Sequence, residues 1–184
     1  HAAPAGWTTM TQRLGGTAIV MERFDAEDWL ALVERHRVTH TQVVPTHLVR
    51  LLKLPEEVRR GYDLPSLQRV VHAAAPCPVD VKQRMMDWWG PIIYEYYSST
   101  EGAGATFVTP EEWLAHPRSV GRATAIIEVC VLSEDGEELP RGEPGDVCFR
   151  SLVGSDFEYH GAPDKTAGAH RGAGFGTLGD IGWM

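Results

Sequence analysis

The chain has 184 residues, 43% of them hydrophobic, and 17 Lys and Arg against 25 Asp and Glu give a formal net charge of −8. That balance excludes a disordered or collagen-like polymer and leaves room for about one domain, while the scattered basic residues exclude nucleic acid or an anionic membrane surface as the main partner. No apolar run approaches the roughly 20 residues of a membrane-spanning helix, and the first residues carry no basic, leader-like start, so a cytoplasmic protein without a membrane span is expected.

The opening His1-Ala2-Ala3-Pro4 has no initiator Met before it, and the chain stops on the apolar Ile181-Gly182-Trp183-Met184; it reads as a piece of a longer protein. Thr17 to Met21 is β-prone. Asp25 then offers a helix N-cap, with Glu27 and Asp28 in the first turn and Trp29, Leu30, Leu32 and Val33 behind them. The alternation repeats: strand from Thr39 to Val44, helix from His47 to Leu54, strand from Gln68 to His72, helix from Pro78 to Trp89, strand from Pro91 to Tyr96. Strands alternating with helices imply parallel pairing through right-handed crossovers, since no tight hairpin reaches a parallel neighbour.

Beyond Gly102 the pattern changes to short strands joined by turns: Ile126 to Leu132, turns at Glu134-Asp135-Gly136 and Gly142-Glu143-Pro144-Gly145, then Asp146 to Ser151. A looser Gly-rich stretch follows from Gly154 to Gly179 and leads into a strand at Asp180. The expected fold class is α/β: a parallel-sheet lobe over residues 1–104 followed by a β-rich, barrel-like lobe over residues 105–184.

In an open parallel sheet, ligands bind beyond the carboxyl ends of the strands. One such end is Ala73-Ala74-Ala75-Pro76, whose small side chains let a flat ring approach the backbone. Another is Tyr96-Tyr97-Ser98-Ser99-Thr100-Glu101-Gly102, which gathers aromatic faces, hydroxyls and a carboxylate. That set suits a nucleotide: a ring stacks on the base, a hydroxyl meets phosphate oxygen, and a carboxylate holds Mg²⁺. A plainer reading stands beside it, in which Tyr96 and Tyr97 pack a sheet edge and Thr100 caps a helix.

These residues carry a family resemblance. Tyr97-Ser98-Ser99-Thr100-Glu101 resembles the Tyr-Gly-x-Thr-Glu signature of AMP-forming adenylating enzymes, and Val71-His72-Ala73-Ala74-Ala75-Pro76 is similar to their Gly-Ala-Ala-Pro adenine loop. Ser119-Val120-Gly121-Arg122, Glu128-Val129, Gly136-Glu137-Glu138-Leu139-Pro140, Gly142-Glu143-Pro144-Gly145 and Thr177-Leu178-Gly179-Asp180 follow in the family's order. Within the family, the His72 to Pro78 segment and the Tyr-rich loop look most like bacterial fatty-acyl-CoA synthetases.

The resemblance implies an enzyme that joins a fatty or other carboxylic acid to ATP, giving acyl-AMP and pyrophosphate, and then passes the acyl group to coenzyme A. It implies that Tyr97 stacks on adenine, that Ala74, Ala75 and Pro76 line it, and that Asp180 takes the ribose hydroxyls. Thr100 and Glu101 are the implied catalytic residues, Thr100 touching phosphate or the reacting carboxylate and Glu101 holding Mg²⁺. His1 belongs to the segment that borders the acyl pocket. The family's phosphate loop would precede His1 and its catalytic Lys, on a C-terminal domain of the same parent chain, would follow Met184; the chain alone is therefore expected not to turn over. Other adenylating enzymes (fatty-acyl-AMP ligases, aryl-CoA ligases, peptide-synthetase adenylation domains) and a non-catalytic nucleotide- or acyl-binding module are the alternatives.

Departures from the pattern carry expectations too. His72 and Ala73 stand where the family commonly has Ser-Gly, and Ser98 replaces a Gly; with a Cβ present, Ala73 and Ser98 should avoid φ > 0. Cys77, Cys130 and Cys148, 53 and 18 positions apart, fit neither a disulfide framework nor a paired zinc spacing and read as reduced thiols. Gly174 to Gly179 has the spacing of a dinucleotide fingerprint but lacks the following helix and acidic residue. His36, His40 and His47 read as polar packing rather than a metal face, Met85, Met86, Trp88 and Trp89 as core, and Glu22, Glu56, Glu57, Glu111 and Glu112 as solvated charge.

Overall fold

Asp25 starts a helix as its position predicts. In the computed structural model, which describes residues 2–102, 104–154 and 157–184, its carboxylate accepts from the N–H groups of Glu27 (3.0 Å) and Asp28 (3.2 Å). Two amides that the helix itself cannot pair are thereby satisfied. An N-terminal helix, α1, Ala2–Arg13, precedes this one, α2, Ala26–His36, in which Trp29, Leu30 and Val33 fall on one buried face. Next come β1, His40–Val43; α3, Pro45–Leu52; α4, Glu56–Arg60; β2, Arg69–His72; α5, Val79–Trp89; and β3, Ile93–Ser98.

β1 runs parallel to β2, with His40 opposite Arg69, and β2 parallel to β3, with Val70 opposite Ile93. The α/β expectation for this part of the chain is met. The remaining elements are β4, Ala105–Val108; α6, Pro110–Ala115; β5, Arg122–Ala123; β6, Ile127–Leu132; β7, Gly145–Ser151; α7, Pro163–Ala169; β8, His170–Arg171; and β9, Phe175–Gly182.

The chain packs as two compact units, residues 1–95 with 108–119 and residues 96–107 with 120–184. The boundaries of these units pass through β3 and β4, so residues 108–119 belong to the first unit. Trp113 explains that membership, since its side chain joins the first unit's core. That core is built on Leu30, Leu48, Leu51, Val70, Met85 and Ile93, none of which has measurable exposure. Each such side chain stabilises by about 1.5–3 kcal/mol relative to its exposed form.

One charged cluster lies within this unit. Lys82 Nζ donates to Glu95 Oε2 at 2.7 Å, His72 Nε2 lies 3.3 Å from the same oxygen, and the Lys82 ammonium sits 4.8 Å from the centre of the Trp113 ring. Burial pushes the Glu95 carboxyl up, but His72 and Lys82 outweigh it and hold the group below its ordinary range.

In the second unit the antiparallel sheet has the order β6-β7-β9-β8. Cys130 faces Cys148 across β6 and β7, and Cys148 faces Thr177 across β7 and β9. All three cysteines are free, and burial pushes the thiols up, Cys77 to about 11 and Cys130 to about 12.

Several expectations change. Thr17 to Met21 forms no strand, because β-prone composition makes a strand only where a partner edge accepts its hydrogen bonds. Glu56 and Glu57, exposed as expected, open α4, a short helix the sequence did not predict. Glu111 and Glu112 belong to α6, where Thr109 Oγ1 accepts from Glu112 N and Glu112 Oε2 accepts from Thr109 N, a reciprocal cap written in the sequence as Thr-x-x-Glu. The Gly-rich stretch holds α7, and β9 begins at Phe175, so Gly176 and Gly179 lie inside a strand instead of leading to one.

Candidate functional site

The second unit holds four of the site residues singled out from sequence, Tyr97, Thr100, Glu101 and Asp180. β3 ends at Ser98, whose hydroxyl donates to the Gly104 carbonyl at 2.8 Å, closing the loop between them. Glycine is required at 104, because a Cβ there would fall 2.5 Å from the Phe149 ring. Phe149 in turn packs against Tyr97, ring centres 5.7 Å apart and inclined by 37°. The Tyr97 hydroxyl donates to Asp180 Oδ2 at 2.6 Å, joining residues 83 positions apart. Burial, then the bond to Asp180 and its charge, push the Tyr97 phenol well above its usual value. Tyr97 is thus a neutral donor with its ring and hydroxyl both fixed, and the Asp180 carboxylate is exposed on β9.

Glu101 follows on the same loop, where Gly102 N donates to Ser99 O at 3.3 Å. Its Oε1 accepts from the Tyr159 hydroxyl at 3.0 Å. Its own backbone N–H, then the Ser99 hydroxyl, hold this carboxyl below its ordinary value; burial opposes them, and Tyr159 and Lys165 add to the lowering. Among the described residues no three His, Cys, Asp or Glu side chains converge as a cage for a metal ion. A single ionised carboxylate is nevertheless the donor set that Mg²⁺ uses when nucleotide phosphates and water complete its octahedron. Glu101 fits that requirement.

Thr100 is exposed on the turn. It caps no helix: the next helix is α6, whose N-cap is Thr109. In the first unit, β2 leads into Ala73, buried, and then Ala74, Ala75 and Pro76, all exposed. Ala73 and Ser98 avoid positive φ as expected, but Ala74 does not, at φ 74°. A left-handed alanine costs about 1–2 kcal/mol, and such strain gathers at ligand-contacting backbone. His1 lies outside the described residues.

The histidines considered as a metal face are accounted for separately. His36 ends α2, His40 Nε2 is 3.3 Å from Arg69 Nη1, and the His47 ring stacks on Phe24 with centres 3.9 Å apart. A cleft of about 270 Å³ in the first unit, between Tyr62–Leu67 and Trp88–Ile92, holds none of the candidate residues. Sequence reasoning missed Phe149, Tyr159 and Lys165. Only an aromatic in an otherwise polar, Gly-rich stretch could have drawn attention to Tyr159.

Comparison with known proteins supplies the family. Residues 1–153 match the AMP-binding enzyme family, and the chain belongs to that family. It is 35% identical over 185 residues to 4-coumarate--CoA ligase-like 6 of Oryza sativa subsp. japonica, covering 98% of this chain and 30% of that protein. It is 32% identical over 170 residues to the medium/long-chain-fatty-acid--CoA ligase FadD8 of Mycobacterium tuberculosis, covering 90% of this chain and 29% of that one. The chain thus spans about 30% of the length of these curated relatives.

Among solved structures, the N-terminal domain of FACL13 from Mycobacterium tuberculosis superposes with a TM-score of 0.82 at 28% identity, over 100% of this chain and 46% of that one. ATP-bound MatB from Rhodopseudomonas palustris gives a TM-score of 0.82 at 26% identity, over 100% and 36%. The fold is that of part of the N-terminal domain of adenylate-forming enzymes.

Proposed function

We propose that this chain is the nucleotide-holding segment of an ATP-dependent acyl-CoA synthetase that activates a fatty acid as its acyl-adenylate and transfers the acyl group to coenzyme A. The observation that carries the reading is the 2.6 Å bond from Tyr97 to Asp180, which brings an aromatic ring beside an exposed carboxylate. In the reaction, a substrate carboxylate oxygen attacks the α-phosphorus of ATP and pyrophosphate leaves. The thiol of coenzyme A then attacks the acyl carbon and AMP leaves. No nucleophile from the protein is needed, so the protein's task is alignment and charge stabilisation.

In this reading the Tyr97 ring carries adenine, Asp180 accepts from the ribose hydroxyls, and Thr100 donates its hydroxyl to a phosphate or to the reacting carboxylate. Ala74, Ala75 and Pro76 are assigned to adenine and His1 to the acyl pocket by the family resemblance. Glu101 would hold Mg²⁺, which when bound offsets phosphate charge. An aryl acid is the second substrate reading, favoured by the likeness to a 4-coumarate--CoA ligase-like protein.

The test is a panel of aliphatic and aryl acids given to the full-length protein with ATP, following pyrophosphate release with and without coenzyme A. Release that needs a fatty acid, with thioester formed on adding coenzyme A, is the expected result. Preference for aryl acids selects the second reading, and no acid-dependent release contradicts both. The 184-residue chain alone is expected to form no acyl-adenylate.

A further inference from the structure

Glu101 is held by a side chain whose own position is built with some care. The Tyr159 backbone N–H donates to Thr166 Oγ1 on α7 at 2.9 Å, its carbonyl accepts from Ala162 N at 3.0 Å, and Thr166 Oγ1 donates to Ala162 O at 3.1 Å. Phe157 meets the Tyr159 ring edge-on, centres 5.6 Å apart, and Lys165 Nζ lies 3.8 Å from the ring centre. From this anchored place the phenol reaches Glu101 Oε1, 58 positions away, at 3.0 Å.

The kind of donor matters. A Glu on a surface turn otherwise samples many rotamers, and ordering it costs side-chain entropy. A Lys or Arg bonded directly to the carboxylate would order it but would also cancel the charge that attracts a cation. Tyrosine orders it as a neutral donor and leaves the negative charge available. Lys165 stands behind the ring instead of on the carboxylate, where its charge draws electron density from the phenol and strengthens the O–H as a donor.

We propose that Tyr159, backed by Lys165, is the positioning residue for Glu101 and so sets the affinity of the site for the divalent cation that accompanies a nucleoside triphosphate. The proposal rests on the reading of Glu101 as a cation ligand given above. Tyr159→Phe keeps the ring, its edge contact with Phe157 and its place under Lys165, and removes only the hydroxyl.

In the full-length protein, Tyr159→Phe should raise the Mg²⁺ concentration for half-maximal pyrophosphate release about three- to tenfold, with kcat at saturating Mg²⁺ within about twofold of the parent. Mn²⁺ binding in the presence of a non-hydrolysable ATP analogue, read by electron paramagnetic resonance, should weaken by the same factor. Glu101→Gln should weaken Mn²⁺ binding further, and the double variant should be no weaker than Glu101→Gln alone, because the two groups act as one unit.

Mn²⁺ binding within twofold of the parent in Tyr159→Phe, or effects that simply multiply in the double variant, would overturn the proposal. Glu101→Gln without any effect on Mn²⁺ binding would overturn its premise. The pairing itself is read separately from the ring-¹³C resonance of Tyr159, identified by its loss in Tyr159→Phe. Glu101→Gln replaces the charged acceptor of its hydroxyl, so that resonance should shift in Glu101→Gln; an unmoved resonance overturns the proposal even where cation binding follows Glu101.

Discussion

Two glutamates, one in each unit, are both held below their ordinary pKa, and they are held in opposite ways. Glu95 is 8% exposed and must overcome the cost of burial with two basic partners, His72 and Lys82. Glu101 is half-buried on a turn and is stabilised by neutral donors, its own amide and the Tyr159 hydroxyl, with Lys165 at more distance. The first charge is spent inside the fold. The second is oriented but not neutralised, which is what a ligand-binding carboxylate requires.

The largest expected effect breaks the buried half of that contrast. Glu95→Ala leaves Lys82 buried without its carboxylate and should destabilise the protein by about 3–5 kcal/mol, read from urea unfolding. Glu101→Gln should change stability by less than about 0.5 kcal/mol in the same assay; equal losses would erase the distinction between the two carboxylates.

Acid separates them next. Because the folded pKa of Glu95 is lowered, its contribution to stability is fully present above the unfolded value of about 4.3 and is lost as pH falls through the lower folded value. Unfolding free energies measured from pH 6 to pH 3 should therefore decline below about pH 4.3, and Glu95→Gln should flatten part of that decline.

A smaller effect concerns the candidate site. Gly104→Ala would push a Cβ into Phe149, against which Tyr97 packs, and should cost about 1–3 kcal/mol with a change in the near-ultraviolet dichroism of the aromatic rings. The smallest is Ala74→Gly. Relief of about 1–2 kcal/mol of backbone strain, offset by about 0.4–1 kcal/mol for glycine's freedom in the unfolded chain, should leave a net gain of no more than about 1.6 kcal/mol in the melting experiment.

Much of the first unit was legible because its signals are local. Asp25 capping α2 and the repeat of Trp29, Leu30 and Val33 need only helical geometry to be read. The reciprocal Thr109–Glu112 cap was equally local and was passed over because Glu111 and Glu112 look like ordinary surface charge. Thr17 to Met21 failed for a different reason: strand formation depends on a partner edge that residue preference does not encode.

In the second unit, Tyr97, Glu101 and Asp180 were legible through motif order, but their partners were not. Tyr159 meets Glu101 across 58 positions, and no periodicity spans that distance. Ala74 shows the same limit on a finer scale, since the left-handed backbone falls one residue beyond the position where a glycine was replaced.

The central claim, that Tyr97 and Asp180 form one end of a nucleotide site, is tested most directly by Asp180→Ala in the full-length protein. Losing the carboxylate should raise the KM for ATP about tenfold, the equivalent of about 1.4 kcal/mol, while the KM for the carboxylic acid stays within about twofold. An equal rise in both, or no rise for ATP, would contradict the assignment of Asp180 to the ribose.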